Sequence, residues 1–373
     1  MIDATPSVFD ASLSGTGPGI DAFIDRYAPD STHTYYGSGK VALRDGLAGL
    51  VDPGDNVIVP AFLSPAVVEP FHELGLESRY YAIEESLAPD FADLEARIDA
   101  DTAAVVSVNY FGFPQPGLER LAALTDEYDC YHVDDNAHSP LSVRDGTLLG
   151  THGDLGITTL RKLLPVPDGA VLYCTDETVT AQFAPSSLAG RSNRIATADC
   201  RFVAASIAER VLRTSSSLYR SVEAILADGV VDSSSVDPDS RYEAAKVPMS
   251  KLSAIVADAV DPDAIRAARR ENFRAWRRVV ADREDVRPLY DRLPEGISPY
   301  EFPVRTADRD SFLAALEERG VVGAHSWPIL RETVREADTY ETSIRLADDL
   351  VALPVHQGIE PSAIETVGDR LRP

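Results

Sequence analysis

The residues best suited to chemistry lie in Gly153-Asp-Leu-Gly-Ile-Thr-Thr-Leu-Arg-Lys-Leu-Leu-Pro-Val-Pro-Asp-Gly-Ala-Val-Leu-Tyr173, a stretch centred on Lys162. Thr158 and Thr159 stand four and three positions before the lysine, and a Pro-Val-Pro-Asp-Gly turn leads from it into a short apolar run that reads as a strand, Ala170 to Tyr173. A lysine on a turn between apolar segments, with hydroxyls beside it, could form a Schiff base with an aldehyde whose phosphate the hydroxyls bind. Taken by itself the stretch fits a solvated surface lysine better, so the other parts of such a site must come from elsewhere in the chain.

Two further segments supply them. Tyr35-Tyr36-Gly37-Ser38-Gly39-Lys40 runs into Val-Ala-Leu-Arg-Asp-Gly-Leu at helical spacing. A Gly-Ser-Gly turn opening a helix leaves backbone amides free at the positive end of the helix dipole, where they can bind an anion. An ordinary loop with an N-cap serine fits the same residues equally well. Cys130-Tyr-His-Val133 reads as a strand that ends at Asp134-Asp135-Asn-Ala-His138. A phosphate turn, an aspartate after a strand and a lysine, in that order, suggest pyridoxal phosphate. The lysine holds the cofactor and moves a proton, a carboxylate beside the pyridine nitrogen keeps it protonated, and amides and hydroxyls hold the phosphate. His132 and Asp134 read as structural neighbours, and without a second close-spaced ligand no metal site is expected there.

The elements that must position these groups alternate. Short apolar strands are predicted at 56–60, 78–83, 102–108 and 130–133. Helices are predicted at 20–27, 66–74, 91–98 and 118–128. This alternation argues for a mostly parallel sheet covered on both faces. Ligands of such sheets sit beyond the carboxyl ends of the strands. Gly37 to Lys40, Asn109 to Gly112, Asp135 to His138 and Lys162 all fall at such junctions. Residues 178–246 read as helices and loops, with low-complexity segments at 214–217 and 232–240. A single long helix from Met249 to Arg278 and a small α+β unit with a helix at 309–319 complete the chain, which contains no internal repeat.

The 373 residues allow two domains, and 44% apolar content supports a real core. Sixty acidic residues against 35 basic ones give a net charge of −25, which argues against nucleic acid and anionic membranes as partners. The excess acid is spread along the whole chain, as adaptation to high salt would require. Three dispersed cysteines, Cys130, Cys174 and Cys200, make a disulfide framework or a cysteine-rich zinc site improbable. With no leader pattern and no apolar run of membrane-spanning length, a soluble cytoplasmic protein is expected.

Several blocks, in order, resemble the DegT/StrS-type aminotransferases of fold type I, which mostly act on keto sugars linked to nucleotides. Gly37-Ser-Gly-Lys-Val-Ala-Leu43 is similar to their phosphate turn Gly-Ser-Gly-Thr-Ala-Ala-Leu, and Pro53-Gly-Asp-Asn-Val-Ile-Val-Pro60 to Pro-Gly-Asp-Glu-Val-Ile-Val-Pro. Val108-Asn-Tyr-Phe-Gly-Phe-Pro114, Val133-Asp-Asp-Asn-Ala-His138 and Gly153-Asp-Leu-Gly156 with Lys162 and Asp168-Gly-Ala-Val171 match further blocks. His325-Ser-Trp-Pro328 and Leu353-Pro-Val-His356 match near the end. The resemblance implies a large domain, residues 1–248, on a mostly parallel seven-stranded sheet flanked by helices, and a small α+β domain, residues 249–373.

By position, the resemblance makes Lys162 the Schiff-base lysine and Asp135 the partner of the pyridine nitrogen. His138 stands where a glutamine near the phenolic oxygen is usual. Ser38, Gly39 and Lys40 would hold the phosphate with help from Thr158 or Thr159, and Asn109 would line the cofactor. The usual ring-stacking aromatic falls nearest Ser64, leaving Phe62 as its closest substitute or else as a core residue. Val247-Pro-Met-Ser250 replaces the usual substrate segment Asn-Tyr-Arg-Met. The implied protein is a homodimeric pyridoxal-phosphate aminotransferase moving nitrogen from an amino acid such as glutamate to a keto group of a sugar nucleotide or similar polar acceptor. A lyase, dehydratase or amino-acid-directed transferase on the same scaffold is the alternative. A non-catalytic relative is the third reading. Lys162, which dehydratases of this family replace by histidine, speaks against both the dehydratase and the non-catalytic relative.

Overall fold

The computed structural model describes residues 2–7, 17–213 and 238–371. The serine-rich stretch at 214–217 and residues 232–237 of the second lie outside these. Seven strands form the main sheet: β1 (Thr32–Tyr36), β2 (Asn56–Pro60), β3 (Glu77–Tyr81), β4 (Thr102–Val108), β5 (Tyr131–Asn136), β8 (Leu155–Thr159) and β9 (Ala170–Cys174). Between β5 and β8 lies a two-stranded hairpin, β6 (Val143–Arg144) and β7 (Thr147–Leu148). The order across the main sheet is β1-β9-β8-β5-β4-β2-β3.

β8, β5, β4, β2 and β3 pair in parallel, each with the next, while β9 runs antiparallel to both its neighbours, β8 and β1. A parallel return needs a crossover of a dozen residues or more. Only ten residues separate Thr159 from Ala170, so the chain folds directly back and pairs Thr159 with Ala170. Lys162 sits on this short return, at the carboxyl end of β8.

Several elements differ from their sequence expectation for identifiable reasons. β1 is a polar edge strand, half exposed along its first three residues, and carries no apolar run to announce it. β5 continues through Asp134, Asp135 and Asn136, because β4 and β8 on either side satisfy its backbone. The helix expected at 66–74 is a 3-10 turn, Pro65–Val68, followed by a short α-helix, Glu69–Glu73. Pro70, without an N–H, cannot extend the preceding turn. The single helix expected at 249–278 is two helices, Lys251–Ala259 and Pro262–Val280. Pro262 interrupts it, and Asp261 caps the second helix by accepting the N–H groups of Asp263 and Ala264, both at 3.1 Å.

Four antiparallel strands, β10 (Val286–Pro288), β11 (Glu301–Thr306), β12 (His325–Ser326) and β13 (Leu350–Pro354), make a second sheet in the order β10-β11-β13-β12. The helix Pro262–Val280 buries Ile265, Phe273, Trp276 and Val280 along one stripe. Phe273 and Trp276 belong to one apolar cluster that also takes in β2 and β4 of the main sheet and Phe302 of β11. A parallel stack of Phe113 on Tyr290, 3.9 Å between ring centres, joins the loop after β4 to the C-terminal part. Among the described residues no helix is long and apolar enough to cross a membrane.

Candidate active site

Backbone hydrogen bonds tie the lysine turn to the glycine turn. The Leu160 N–H donates to Gly169 O at 2.8 Å, and the Gly169 N–H donates to Gly37 O at 2.9 Å. Gly169 holds φ +115, a conformation that favours glycine. Ser38 takes the N-cap position of the nine-residue helix Gly39–Leu47, whose first-turn amides open at the carboxyl edge of the sheet. A Cβ at Gly37 would stand 2.5 Å from Val247 O, and one at Gly39 would stand 2.9 Å from the Thr159 methyl. Val247-Pro-Met-Ser250 thus packs over the glycine turn.

Three groups converge beside Lys162. Asp135 is 4% exposed. Its Oδ1 accepts the Ala137 N–H at 2.8 Å. Burial pushes its carboxyl up to about 6, opposed by that N–H and by the Lys162 charge. Burial pushes Lys162 down to about 8, against the pull of Asp135 and Glu301, while Arg161 adds to the depression. His138 Nδ1 accepts the Phe111 N–H at 2.8 Å. Its ring stacks on Tyr300, with centres 5.3 Å apart and planes 22° apart. The Lys162 ammonium lies 5.6 Å from the centre of that same Tyr300 ring. Phe111 reaches His138 from a left-handed backbone, φ +56, that non-glycine residues adopt at a cost.

The adjacent carboxylate has a different task. Asp134 is fully buried and accepts from Asn109 Nδ2 at 2.6 Å, Gly150 N at 2.8 Å and His152 N at 3.0 Å. Along a strand successive side chains point to opposite faces. Asp134 braces the neighbouring loops, while Asp135 feels the charge of Lys162.

Five of the expected cofactor residues have other partners in this structure. The Lys40 ammonium pairs with Glu69 and stands 5.0 Å over the Tyr242 ring, so only its backbone N–H remains for an anion. The Asn109 carboxamide is spent on Asp134 and on the Gln115 N–H. The Thr158 hydroxyl donates to Asn136 O at 3.0 Å and the Thr159 hydroxyl to Ala137 O. Each hydroxyl has one proton to give, and both give it to the end of β5. Phe62 is fully buried, edge-on to Tyr110 and Trp327, as a core residue would be. Ser38 and Gly39 keep their place at the helix start.

Tyr300, Glu301, Trp327 and Arg269 also surround His138 and the lysine turn, and none was expected there from the sequence. Arg269 had a visible signal: it occupies a core position of its helix, four residues after Ile265 and four before Phe273. Tyr300 and Glu301 carried none, since only tertiary packing brings β11 to the lysine turn.

Residues 23–202 match the DegT/DnrJ/EryC1/StrS aminotransferase family. They belong to that family. Among curated relatives, the GDP-perosamine synthase of Vibrio cholerae is 32% identical over 38% of this chain and 40% of its own length. The GDP-4-keto-6-deoxy-D-mannose 3-dehydratase of Yersinia pseudotuberculosis is 31% identical over 28% of this chain and 26% of its own. The alignments thus span two fifths or less of these relatives. Helicobacter pylori PseC, an aminotransferase involved in the biosynthesis of pseudoaminic acid, shares the fold at TM-score 0.68 and 13% identity, over 97% of this chain and 90% of its own. The seven-stranded sheet flanked by helices is that of the fold-type-I aminotransferases.

The family implies pyridoxal phosphate, and the residues present fit it. A carboxyl only 4% exposed and, among the described residues, without an ion-pair partner suits a cationic ring nitrogen. The start of the helix Gly39–Leu47, with Ser38 at its N-cap, suits a phosphate.

Proposed function

We propose that this chain is a pyridoxal-phosphate-dependent aminotransferase. It would move an amino group from an amino acid, glutamate by family resemblance, to a keto group of a nucleotide-linked sugar or a similar polar acceptor. The observation that carries the reading is the convergence of Lys162, Asp135 and His138 at the carboxyl edge of this family's sheet. When bound, the cofactor supplies an electron sink that acidifies the carbon next to the transferred nitrogen.

The residues of the chain do the rest. Lys162, displaced to about 8, holds part of its population as free amine near neutral pH. Nζ can therefore act as nucleophile and then carry the proton between neighbouring carbons. Asp135, a carboxylate above about pH 6, would hold a protonated ring nitrogen by charge and hydrogen bond. His138 would donate from Nε2 to the phenolic oxygen. Ser38 and the amides of Gly39 and Lys40 would receive the phosphate at the helix start. The division into residues 1–248 and 249–373, a homodimer and a cytoplasmic location belong to the same reading.

The name of the Yersinia relative brings a dehydratase into view as the alternative. Lys162, placed to move a proton, favours transamination. The test is the absorbance spectrum of the protein mixed with pyridoxal phosphate. Wild type should gain visible absorbance that glutamate bleaches, and Lys162→Ala should not gain the same band. A wild type that takes up no cofactor would overturn the assignment, and a bound cofactor indifferent to amino donors would favour the alternative.

A further inference from the structure

A second buried carboxyl lies near Lys162, and the proposed chemistry leaves it without a role. Glu301, the first residue of β11, is 5% exposed. Its Oε2 is buried without a hydrogen-bond partner among the described residues, and its Oε1 stands 3.6 Å from His325 Nε2. The nearby cation that could have neutralised it is otherwise engaged. Arg269 is 1% exposed and gives its donors to Gln357 Oε1 at 3.0 Å, Pro299 O at 3.2 Å, Tyr300 O at 3.1 Å and Leu163 O at 3.5 Å, all neutral acceptors. A buried carboxyl oxygen without a donor costs stability, and such groups cluster where charge is put to use.

The surroundings give that charge a direction. Tyr300, next in sequence, stacks on His138 and lies under the Lys162 ammonium. Arg269 grips Leu163, the residue after Lys162, together with the two residues before Glu301. Gln357 adds a hydrogen bond to Leu163 O at 2.8 Å. The lysine turn and the start of β11 are therefore held as one unit. The charged groups facing Glu301 are Lys162 on the turn, Arg269 on its helix and His325 on β12. Those facing Lys162 are Asp135, Arg161 and Glu301.

We infer that Glu301 is a positioning residue of this site, the second of two buried carboxyls that together set the pH at which Lys162 becomes a free amine. Asp135 would be drawn to the cofactor ring once it binds, whereas Glu301 stays on the small-domain side, where burial raises its carboxyl and the charges of His325, Lys162 and Arg269 draw it back toward the ionised form. The inference rests on the aminotransferase reading only for its purpose, since a coupling between Glu301 and Lys162 would need no cofactor.

The test is made on the full chain freed of bound aldehyde. The sequence contains only four lysines, Lys40, Lys162, Lys246 and Lys251. After reductive methylation with labelled formaldehyde each gives its own NMR signal, assigned by single substitution, and its protonation midpoint is read by titration. In Glu301→Gln the Lys162 midpoint should fall by about one pH unit, a tenfold change in its proton affinity. Glu301→Asp, which keeps the charge, should restore most of the difference, and the other three lysines should not move. A well-folded Glu301→Gln protein with an unmoved Lys162 midpoint overturns the inference. If Glu301→Gln fails to fold, Glu301→Met decides through the same lysine titration. A Lys162 midpoint lowered by about one pH unit supports the inference, and an unmoved midpoint overturns it. Failure of wild type to take up the cofactor would instead count against the proposed function and leave the lysine titration valid.

Discussion

His138 Nδ1 accepts the backbone N–H of Phe111 at 2.8 Å, and this one contact fixes what the ring can do. With Nδ1 as acceptor, a neutral ring carries its proton on Nε2. Burial, and after it the charges of Lys162 and His325, hold the ring well below the usual histidine range. It stays a neutral donor through the working range of pH. His138→Gln, which keeps a donor, should leave the dissociation constant for pyridoxal phosphate within about tenfold of wild type. His138→Leu should weaken it by a further tenfold or more, the loss of one hydrogen bond to a charged group at about 1.5–3 kcal/mol. Equal affinities for the two variants in an absorbance titration would remove the donor role.

Asp135 should be a stability cost that the fold bears for function. Its carboxyl is raised from 3.8 to about 6, so the folded protein binds that proton more tightly than the unfolded chain. The penalty is absent below the unfolded value, grows as pH rises from about 4 to 6, and is complete above that. Two pH units correspond to about 3 kcal/mol at most. Asp135→Asn should therefore be more stable than wild type at pH 7–8, with the advantage fading toward pH 4, while cofactor function is lost. Urea unfolding at a series of pH values measures this. A pH-independent difference would show that the gain has another cause.

Lys40 tests whether a phosphate site needs the lysine's charge. Its ammonium is bound to Glu69 and lies over Tyr242. Lys40→Met should retain pyridoxal phosphate within about threefold of wild type, because the backbone N–H survives and the cation was engaged elsewhere. A hundredfold weaker titration would mean that the ammonium swings to the phosphate on binding.

Arg269 should couple stability to the site. Arg269→Met strips donors from Gln357 and from the carbonyls of Pro299, Tyr300 and Leu163 around a side chain that is 1% exposed. Buried acceptors left unmet cost about 1–3 kcal/mol each, partly offset by removing a desolvated cation. A net loss of about 2–4 kcal/mol is expected in denaturant unfolding, together with slower cofactor attachment at Lys162. Unchanged stability would mean that Arg269 holds nothing together.

The main elements of the large sheet were legible where the chain is regular. β2 and β4 are runs of Val, Ile and Ala between turn residues, and such runs can scarcely be anything but buried parallel strands. β1 was not legible, because an edge strand of Thr, His and Tyr owes its form to pairing with β9 and to nothing in its own pattern. Proline broke two expected helices, at Pro70 and Pro262, where apolar spacing alone would have carried them through.

At the site, the order of glycine turn, aspartate and lysine came from the sequence, since the chain itself sets those spacings and the residue types limit the chemistry. Which partner each side chain takes was decided in three dimensions. Asn109 and Lys40 stand at the right places in the sequence, yet their side chains are claimed by Asp134 and Glu69, which no linear spacing predicts. Glu301 and Tyr300 reach Lys162 from nearly 140 positions away. Local sequence can specify a turn or a strand, but burial and charge pairing between distant segments exist only once the two sheets are packed together.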